Sequence, residues 1–212
     1  MLRIEEADGI RCIGLDRAAK RNAISVELTL ALEDALLQAR HDASVHTLVF
    51  HGVGDHFSAG MDLKDFFDSS TRPPDVMRRA RVATEHWRTR LLWELPQTMI
   101  CAVRGYCLGG AMPFLAASQV VFASPDARFG LPEINFGFVP GAQIVKAAGR
   151  MIAPRGLAYA ALTGRLFDVE RARRWGLVTE VTDDPLARAL ELARTMSAQR
   201  GRSFPLPTQT MY

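Results

Sequence analysis

The stretch that most restricts how this chain can fold runs from Thr98 to Ala117. A largely apolar run, Thr98 to Val103, leads into Arg104-Gly105-Tyr106-Cys107-Leu108-Gly109-Gly110 and then into a second apolar run, Ala111 to Ala117. That order fits a buried strand, a tight glycine turn and a buried helix. Glycines at such a turn let a foreign atom approach bare backbone, and the free N–H groups of the helix's first turn point at that atom. His56-Phe57-Ser58-Ala59-Gly60-Met61-Asp62-Leu63 repeats the arrangement after another apolar run, His46 to Phe50. Two such turns facing each other each lend one N–H to a single negatively charged oxygen. Losing one donor of such a pair typically costs roughly 2.7–4 kcal/mol of transition-state stabilisation. Either turn alone also fits an ordinary strand end.

At 212 residues the chain suits one domain with a sizeable core, taken here as residues 1–200, followed by an irregular tail, 201–212, that carries Pro205 and Pro207. Hydrophobic residues at 48% and charged ones at 23% argue against both disorder and membrane residence. No apolar run reaches the ~20 residues a spanning helix needs. Arg3, Glu5 and Glu6 put charge where a secretory leader would be apolar, so a cytoplasmic location is expected. The three cysteines, Cys12, Cys101 and Cys107, form neither a C-x-x-C pair nor an even set, and read as buried reduced thiols. A net charge of +3 comes with arginines grouped at Arg78, Arg79 and Arg81 and at Arg171, Arg173 and Arg174. Those groups fit an anionic partner or plain solvated helix faces.

Taken in order, Leu2 to Glu6 and Ile10 to Leu15 flank Asp8-Gly9, which predicts a β-hairpin. Asp16 to Ala23 is a basic loop, and Ser25 caps a helix reaching about His41 with Leu28, Leu32, Ala35, Leu36 and Ala39 on one face. Thr47 to Phe50 is a strand, and Asp62 to Phe67 a helical turn ended by a break at Ser69 to Asp75. Val76 to Trp93 is a long amphipathic helix and Gln119 to Ala123 a strand, after which Phe129 to Gly141 is irregular enough to line a site. Short helices at Ala142 to Met151, Pro154 to Leu162 and Val169 to Trp175, a strand at Val178 to Val181 and a helix from Pro185 to about Arg200 complete the chain. Strands alternating with helices predict an α/β fold with largely parallel pairing.

Among residues able to carry chemistry, Ser58 in Phe57-Ser58-Ala59-Gly60 resembles part of a nucleophile elbow but lacks its first glycine and follows its strand too late. Asp62, Asp65 and Asp68 recur at helical spacing without His or Cys to match. No metal is expected; Asp65 and Asp68 read as a solvated face and Asp62 as a cap. Glu133, in Phe129-Gly130-Leu131-Pro132-Glu133-Ile134-Asn135-Phe136-Gly137, is the carboxylate best placed for acid–base work. Apolar walls raise its pKa toward the range of a group that takes and returns a proton, although a rim carboxylate at a turn fits the same residues.

These residues converge on a family. From about Ile10 through Val181 the chain resembles the crotonase superfamily, the enoyl-CoA hydratase/isomerase family. The resemblance rests on Arg21-Asn22-Ala23-Ile24-Ser25, Phe57 to Leu63, Gly105 to Gly110, Phe129-Gly130 with Pro132-Glu133, and Pro140-Gly141. It implies a ββα spiral fold and an oxyanion hole formed by the N–H groups of Met61 and Gly110 for an acyl-CoA thioester. By the same resemblance Lys20, Ala23, Ala59 and Leu63 contact CoA, Phe66, Pro113, Phe136 and Gly141 belong to the substrate-binding set, with Phe136 and Gly141 near the acyl or pantetheine arm, and no cofactor is needed beyond the CoA of the substrate. A homotrimer or hexamer is implied, with neither membrane nor nucleic acid as partner. Pro113 stands where classical hydratases carry a first glutamate, so one-carboxylate chemistry through Glu133 is expected, as double-bond isomerisation or hydration with cleavage. Met61 to Phe67 and Glu133 to Gly137 look closest to hydroxycinnamoyl-CoA hydratase-lyases, with Phe66 where a phenol-binding tyrosine would stand. The C-terminal helical region expected of the family is short or missing. A catalytically impaired acyl-CoA or RNA binder is the alternative that Pro113 and the basic charge leave open.

Overall fold

A computed structural model describes residues 1–67 and 72–199. The predicted hairpin forms from β1 (Leu2–Ala7) and β2 (Ile10–Leu15), antiparallel around a turn in which Asp8 and Gly9 both take positive φ, 54° and 75°. Both values suit the primed turn that Asp-Gly favours. Ser25 caps α1 (Val26–His41), its hydroxyl accepting from the Leu28 N–H at 3.2 Å. β3 (Thr47–Gly52) follows, then α2 (Leu63–Phe67) and α3 (Pro74–His86). A π turn, Trp87–Leu91, carries α3 into α4 (Leu92–Glu94), so the long helix expected over 76–93 is present with one widened turn.

Beyond β4 (Thr98–Val103) the expected strand–turn–helix is corrected. Gly105, at φ 54°, turns the chain into a further strand, β5 (Tyr106–Leu108), and only then come a 3₁₀ turn, Gly109–Ala111, and α5 (Met112–Ala117). β6 (Val120–Ala123), β7 (Arg128–Gly130) and a 3₁₀ turn at Pro132–Phe136 lead to α6 (Ala142–Ala148) and α7 (Pro154–Thr163). β8 (Phe167–Asp168), α8 (Val169–Arg174), β9 (Glu180–Val181) and α9 (Pro185–Gln199) close the described chain. The irregular span 129–141 thus contains ordered pieces, and the last strand is shorter than 178–181. The expected tail, 201–212, and Asp68 lie outside the described residues.

The fold is α/β. A six-stranded sheet in the order β1-β2-β3-β4-β6-β9 is parallel from β2 onward, and a second sheet, β5-β7-β8, stands apart from it. Alternation along the large sheet sends its side chains to two cores. Val49, Ile100, Ala102 and Phe122 meet Ala189 and Ala193 of α9, while Leu48, Phe50, Met99, Cys101 and Val103 join the main core with α1, Trp87 and α5. Phe114 holds that core under the glycine turns, stacked on Trp87 at 5.1 Å and tilted against Phe50 at 5.2 Å. All three cysteines are free, Cys101 and Cys107 buried as expected and Cys12 only half-buried. Burial pushes Cys12 up to about 11 and Cys101 up to about 12, as inert reduced thiols require. No described helix is long and apolar enough to cross a membrane.

Candidate active site

Residues 57–61 run parallel to β5, and this ladder is what brings the two glycine turns together. Phe57 and Ser58 donate their N–H groups to Arg104 and Tyr106 carbonyls at 2.8 Å, and the Leu108 N–H returns to Ser58 O at 3.1 Å. On the other side the Ile24 N–H donates to Gly60 O at 2.8 Å and the Asp62 N–H to Ile24 O at 3.0 Å. Asn22, wholly buried at φ 52°, clamps the approach: its Nδ2 donates to Val53 O at 3.0 Å and His56 O at 2.6 Å, and its Oδ1 accepts from Arg17 N at 2.8 Å. Ser58 is a strut, not a nucleophile. Its buried hydroxyl donates to Asn22 O at 2.8 Å and accepts from Gly60 N at 3.1 Å.

This pairing spends Gly60 O and Asp62 N and leaves the Met61 N–H between them without a backbone acceptor among the described residues. Gly110 is the second residue of its 3₁₀ turn, where an N–H has no acceptor within the turn. A methyl group placed on Gly110 would lie 3.2 Å from Met61 N, and one placed on Gly60 would lie 3.3 Å from Gly110 N. The two amides therefore flank one small volume. Any side chain at either glycine would fill it.

Glu133 faces the same place from the 3₁₀ turn after β7. It is 8% exposed, its Oε2 is buried without a hydrogen-bond partner among the described residues, and a methyl group on Gly109 would meet its Oε1 at 2.5 Å. Burial raises its pKa, opposed by its own backbone N–H and by Arg88. Behind the amides stands Arg88, in the π turn of the long helix. A methyl group on Gly110 would lie 2.5 Å from its Nη2.

These groups open onto a cavity of about 380 Å³. Of the residues singled out from sequence, the wall brings together Ala59, Met61, Leu63, Phe66, Gly110, Glu133, Phe136 and Gly141. Lys20 and Ala23 lie outside it: Lys20 is exposed on a 3₁₀ turn, and this loop touches the site through the Ala59 N–H donating to Arg21 O at 2.9 Å. Pro113 is buried in the first turn of α5, off the cavity wall, where its missing N–H costs nothing. The solvated face assigned to Asp65 is corrected. Its Oδ2 accepts from the Val26 N–H at 2.8 Å and its Oδ1 from Arg72 at 2.9 Å, which ties α2 to the start of α1. Asp62 does cap its turn, accepting from the Asp65 N–H at 3.2 Å, and pairs with Arg17 at 2.6 Å. No group of His, Cys, Asp and Glu able to hold a metal occurs among the described residues.

Sequence reasoning missed Arg88, Thr84 and Glu85, and read Arg81 only within an arginine group fit for an anionic partner or a solvated face; all four line the cavity. Their helical spacing was readable, their place on the cavity was not. Positions 81, 84, 85 and 88 share one helical stripe beside the buried stripe of Met77, Ala80, Ala83 and Trp87.

A hydroxycinnamoyl-CoA hydratase-lyase from Pseudomonas fluorescens is 34% identical over 200 residues, 92% of this chain and 72% of that relative. The crystal structure of an enoyl-CoA hydratase/isomerase from Mycobacterium paratuberculosis matches with a TM-score of 0.85 at 23% identity, over 99% of this chain and 80% of that one. A family protein of the same description from Silicibacter pomeroyi matches at 0.81 and 30% identity, covering 96% and 84%. The sequence family described as enoyl-CoA hydratase/isomerase matches residues 5–206, and with the fold and the two facing glycine turns in agreement, the chain belongs to that family, the crotonase superfamily.

Proposed function

We propose that the protein is an enzyme acting on an acyl-CoA thioester through an enolate, with Met61 and Gly110 donating to the thioester oxygen and Glu133 moving the proton. The observation that carries this is the convergence of two unspent backbone N–H groups beside one buried carboxylate. In an isomerisation, Glu133 takes a proton from the carbon next to the thioester, and the electron pair moves onto the thioester oxygen between the two amides. Glu133 then returns that proton further along the chain as the double bond shifts. The raised pKa suits both halves of the exchange. Hydration with cleavage, the activity named for the Pseudomonas relative, needs the same enolate and the same carboxylate.

Two-glutamate hydration is disfavoured because Pro113 occupies the other family position. The second carboxylate on the cavity wall, Glu85, is exposed and accepts from Gln143 at 3.1 Å. Lys20, Ala23, Ala59 and Leu63 are assigned to CoA, and residues 1–200 to one acyl-CoA-binding domain. Assembly into a homotrimer or hexamer is supported by exposed apolar residues: Phe136 at 63%, Val139 at 67% and Leu162 at 74%.

A panel of acyl-CoA thioesters read by mass spectrometry, with wild type and Glu133→Gln, tests the reading. Turnover of at least one thioester by wild type, lost in Glu133→Gln with binding retained, is expected. Undiminished turnover in Glu133→Gln overturns the role of Glu133. Absence of any turnover together with tight, salt-sensitive RNA binding overturns the enzyme.

A further inference from the structure

Arg88 Nε and Nη2 have no accessible surface and no hydrogen-bond partner among the described residues, although the residue as a whole keeps some exposure. Side by side on one edge of the guanidinium, these two nitrogens have the fork geometry that binds a carboxylate through two parallel hydrogen bonds; enclosed as they stand, they meet a ligand only when the guanidinium turns into the cavity whose wall it joins. The guanidinium carbon lies 5.0 Å from the centroid of the Trp87 ring, a contact that offsets part of the cost of burying the charge but gives the two nitrogens no acceptor, and a buried donor left without one is costly. Glu133 and Glu85 supply a favourable field to Arg88, but neither forms an ion pair with it. Burial pushes Arg88 down to about 10, so it still carries its charge at neutral pH.

A second cavity, of about 350 Å³, shares Arg88 and is lined also by Lys146 and Arg150, with no carboxylate in its wall. Cationic walls around a low-dielectric volume focus a positive potential toward the fork. The position of the fork limits what can meet it. Nη2 lies within about 4 Å of Gly110 Cα once a ~1.5 Å Cα–Cβ bond is added to the 2.5 Å contact, so a partner must sit close to the thioester carbonyl.

Taking the thioester reading above as its basis, we infer that the acyl group carries a carboxylate a few carbons from the thioester and that Arg88 receives it. The preferred ligands are then CoA monothioesters of short dicarboxylic acids. An uncharged acyl group would leave the fork desolvated and unpaired, and a site built to bond a polar group rejects the analogue lacking it. Arg88 is thus the residue that selects the acyl group.

Calorimetric titration of the full chain with two matched pairs tests this: malonyl-CoA against isovaleryl-CoA, and succinyl-CoA against 4-methylpentanoyl-CoA. Each pair exchanges a carboxylate for an isopropyl group of similar shape. Wild type is expected to bind the carboxylated member of at least one pair tenfold more tightly or better. Arg88→Met abolishes that preference, and Arg88→Lys keeps part of it because a point charge cannot present the fork. Parity within both pairs for wild type overturns the inference and leaves the thioester reading standing, as does a preference that survives Arg88→Met. Failure of all four thioesters to bind removes the thioester reading and this inference with it. The wild-type comparison needs no variant, so poor folding of Arg88→Met does not weaken the test.

Discussion

Gly109→Ala separates chemistry from binding at this site. Gly109 sits at φ 47°, a backbone conformation that costs a non-glycine residue roughly 1–2 kcal/mol. For a chain of this size each kcal/mol shifts Tm by about 2–4 °C, so the backbone alone lowers Tm by about 2–8 °C. The larger effect is steric. The new methyl group would lie 2.5 Å from Glu133 Oε1 and 3.2 Å from its Cδ. A carbon and an oxygen settle at about 3.3–3.6 Å, so the carboxylate must withdraw by about 1 Å. Displacement of a reacting group by that distance costs on the order of 10²-fold in rate. The amides of Met61 and Gly110 stay in place, so the thioester still binds. Steady-state turnover on the best thioester of the panel, with its Kd by calorimetry, should show kcat down about 10²-fold and affinity little changed. Gly176→Ala is the control: φ there is 86° and the nearest obstacle is Met151 O at 3.0 Å, away from the cavity. It should lose similar thermal stability and keep kcat. Near-normal kcat in Gly109→Ala, or an equal fall in Gly176→Ala, refutes the placement of Glu133.

The acid limb of the pH profile of kcat/KM should lie above the ordinary carboxylate value of about 4.3, because burial raises Glu133. Activity is lost as pH falls through that raised value, and Arg88→Met should move the limb higher still, since Arg88 opposes the shift. The same burial has a stability consequence. A carboxyl raised on folding binds its proton more tightly in the native state, so stability falls as pH rises through its unfolded and then its folded pKa. Glu133→Gln should therefore melt above wild type at neutral pH, with the difference vanishing below the unfolded value. Equal melting at both pH values would show that Glu133 is not desolvated. Asn22→Gly keeps the positive φ but strands two carbonyls and one N–H, at about 1–3 kcal/mol for each group left buried without a partner. Urea denaturation should register a loss of at least ~2 kcal/mol by the same reasoning, together with weakened thioester binding as the loop at Val53 to His56 loosens.

The framework was legible where one physical signal dominates. Asp8-Gly9 suits a primed hairpin turn, Ser25 lies directly before a clean apolar stripe, and the strand cores 48–50 and 99–103 read as apolar runs, the first strand continuing two residues past the Phe50 where the sequence reading ended it. β5 and β8, at three and two residues, are too short to show any periodicity, so the second sheet was invisible and the glycine turn was joined to its helix one element too soon. The two glycine turns and the apolar frame of Glu133 were legible because each is local in sequence; the pairing of Met61 with Gly110 came from the resemblance, and the structure sets all three residues on one cavity wall.

Arg88 was not legible, for a reason that also shows why it matters. Arg81, Glu85 and Arg88 recur at helical spacing and alternate in sign, the pattern of a solvated helix face laced by ion pairs. In the folded chain Arg81 and Glu85 stay exposed at the cavity rim while Arg88 is drawn in beside Gly110, because Trp87 anchors the adjacent stripe against Phe114 and the π turn begins at that residue. Exposed, an arginine here is nearly free of consequence; enclosed beside Gly110 and over the Trp87 ring, it has two nitrogens without an acceptor among the described residues. Local sequence cannot distinguish the two cases, since burial is decided by segments more than twenty residues away. A buried donor left without an acceptor on the wall of the cavity that holds Glu133 calls for an explanation, and a carboxylated acyl group is the one that the paired thioesters put to the test.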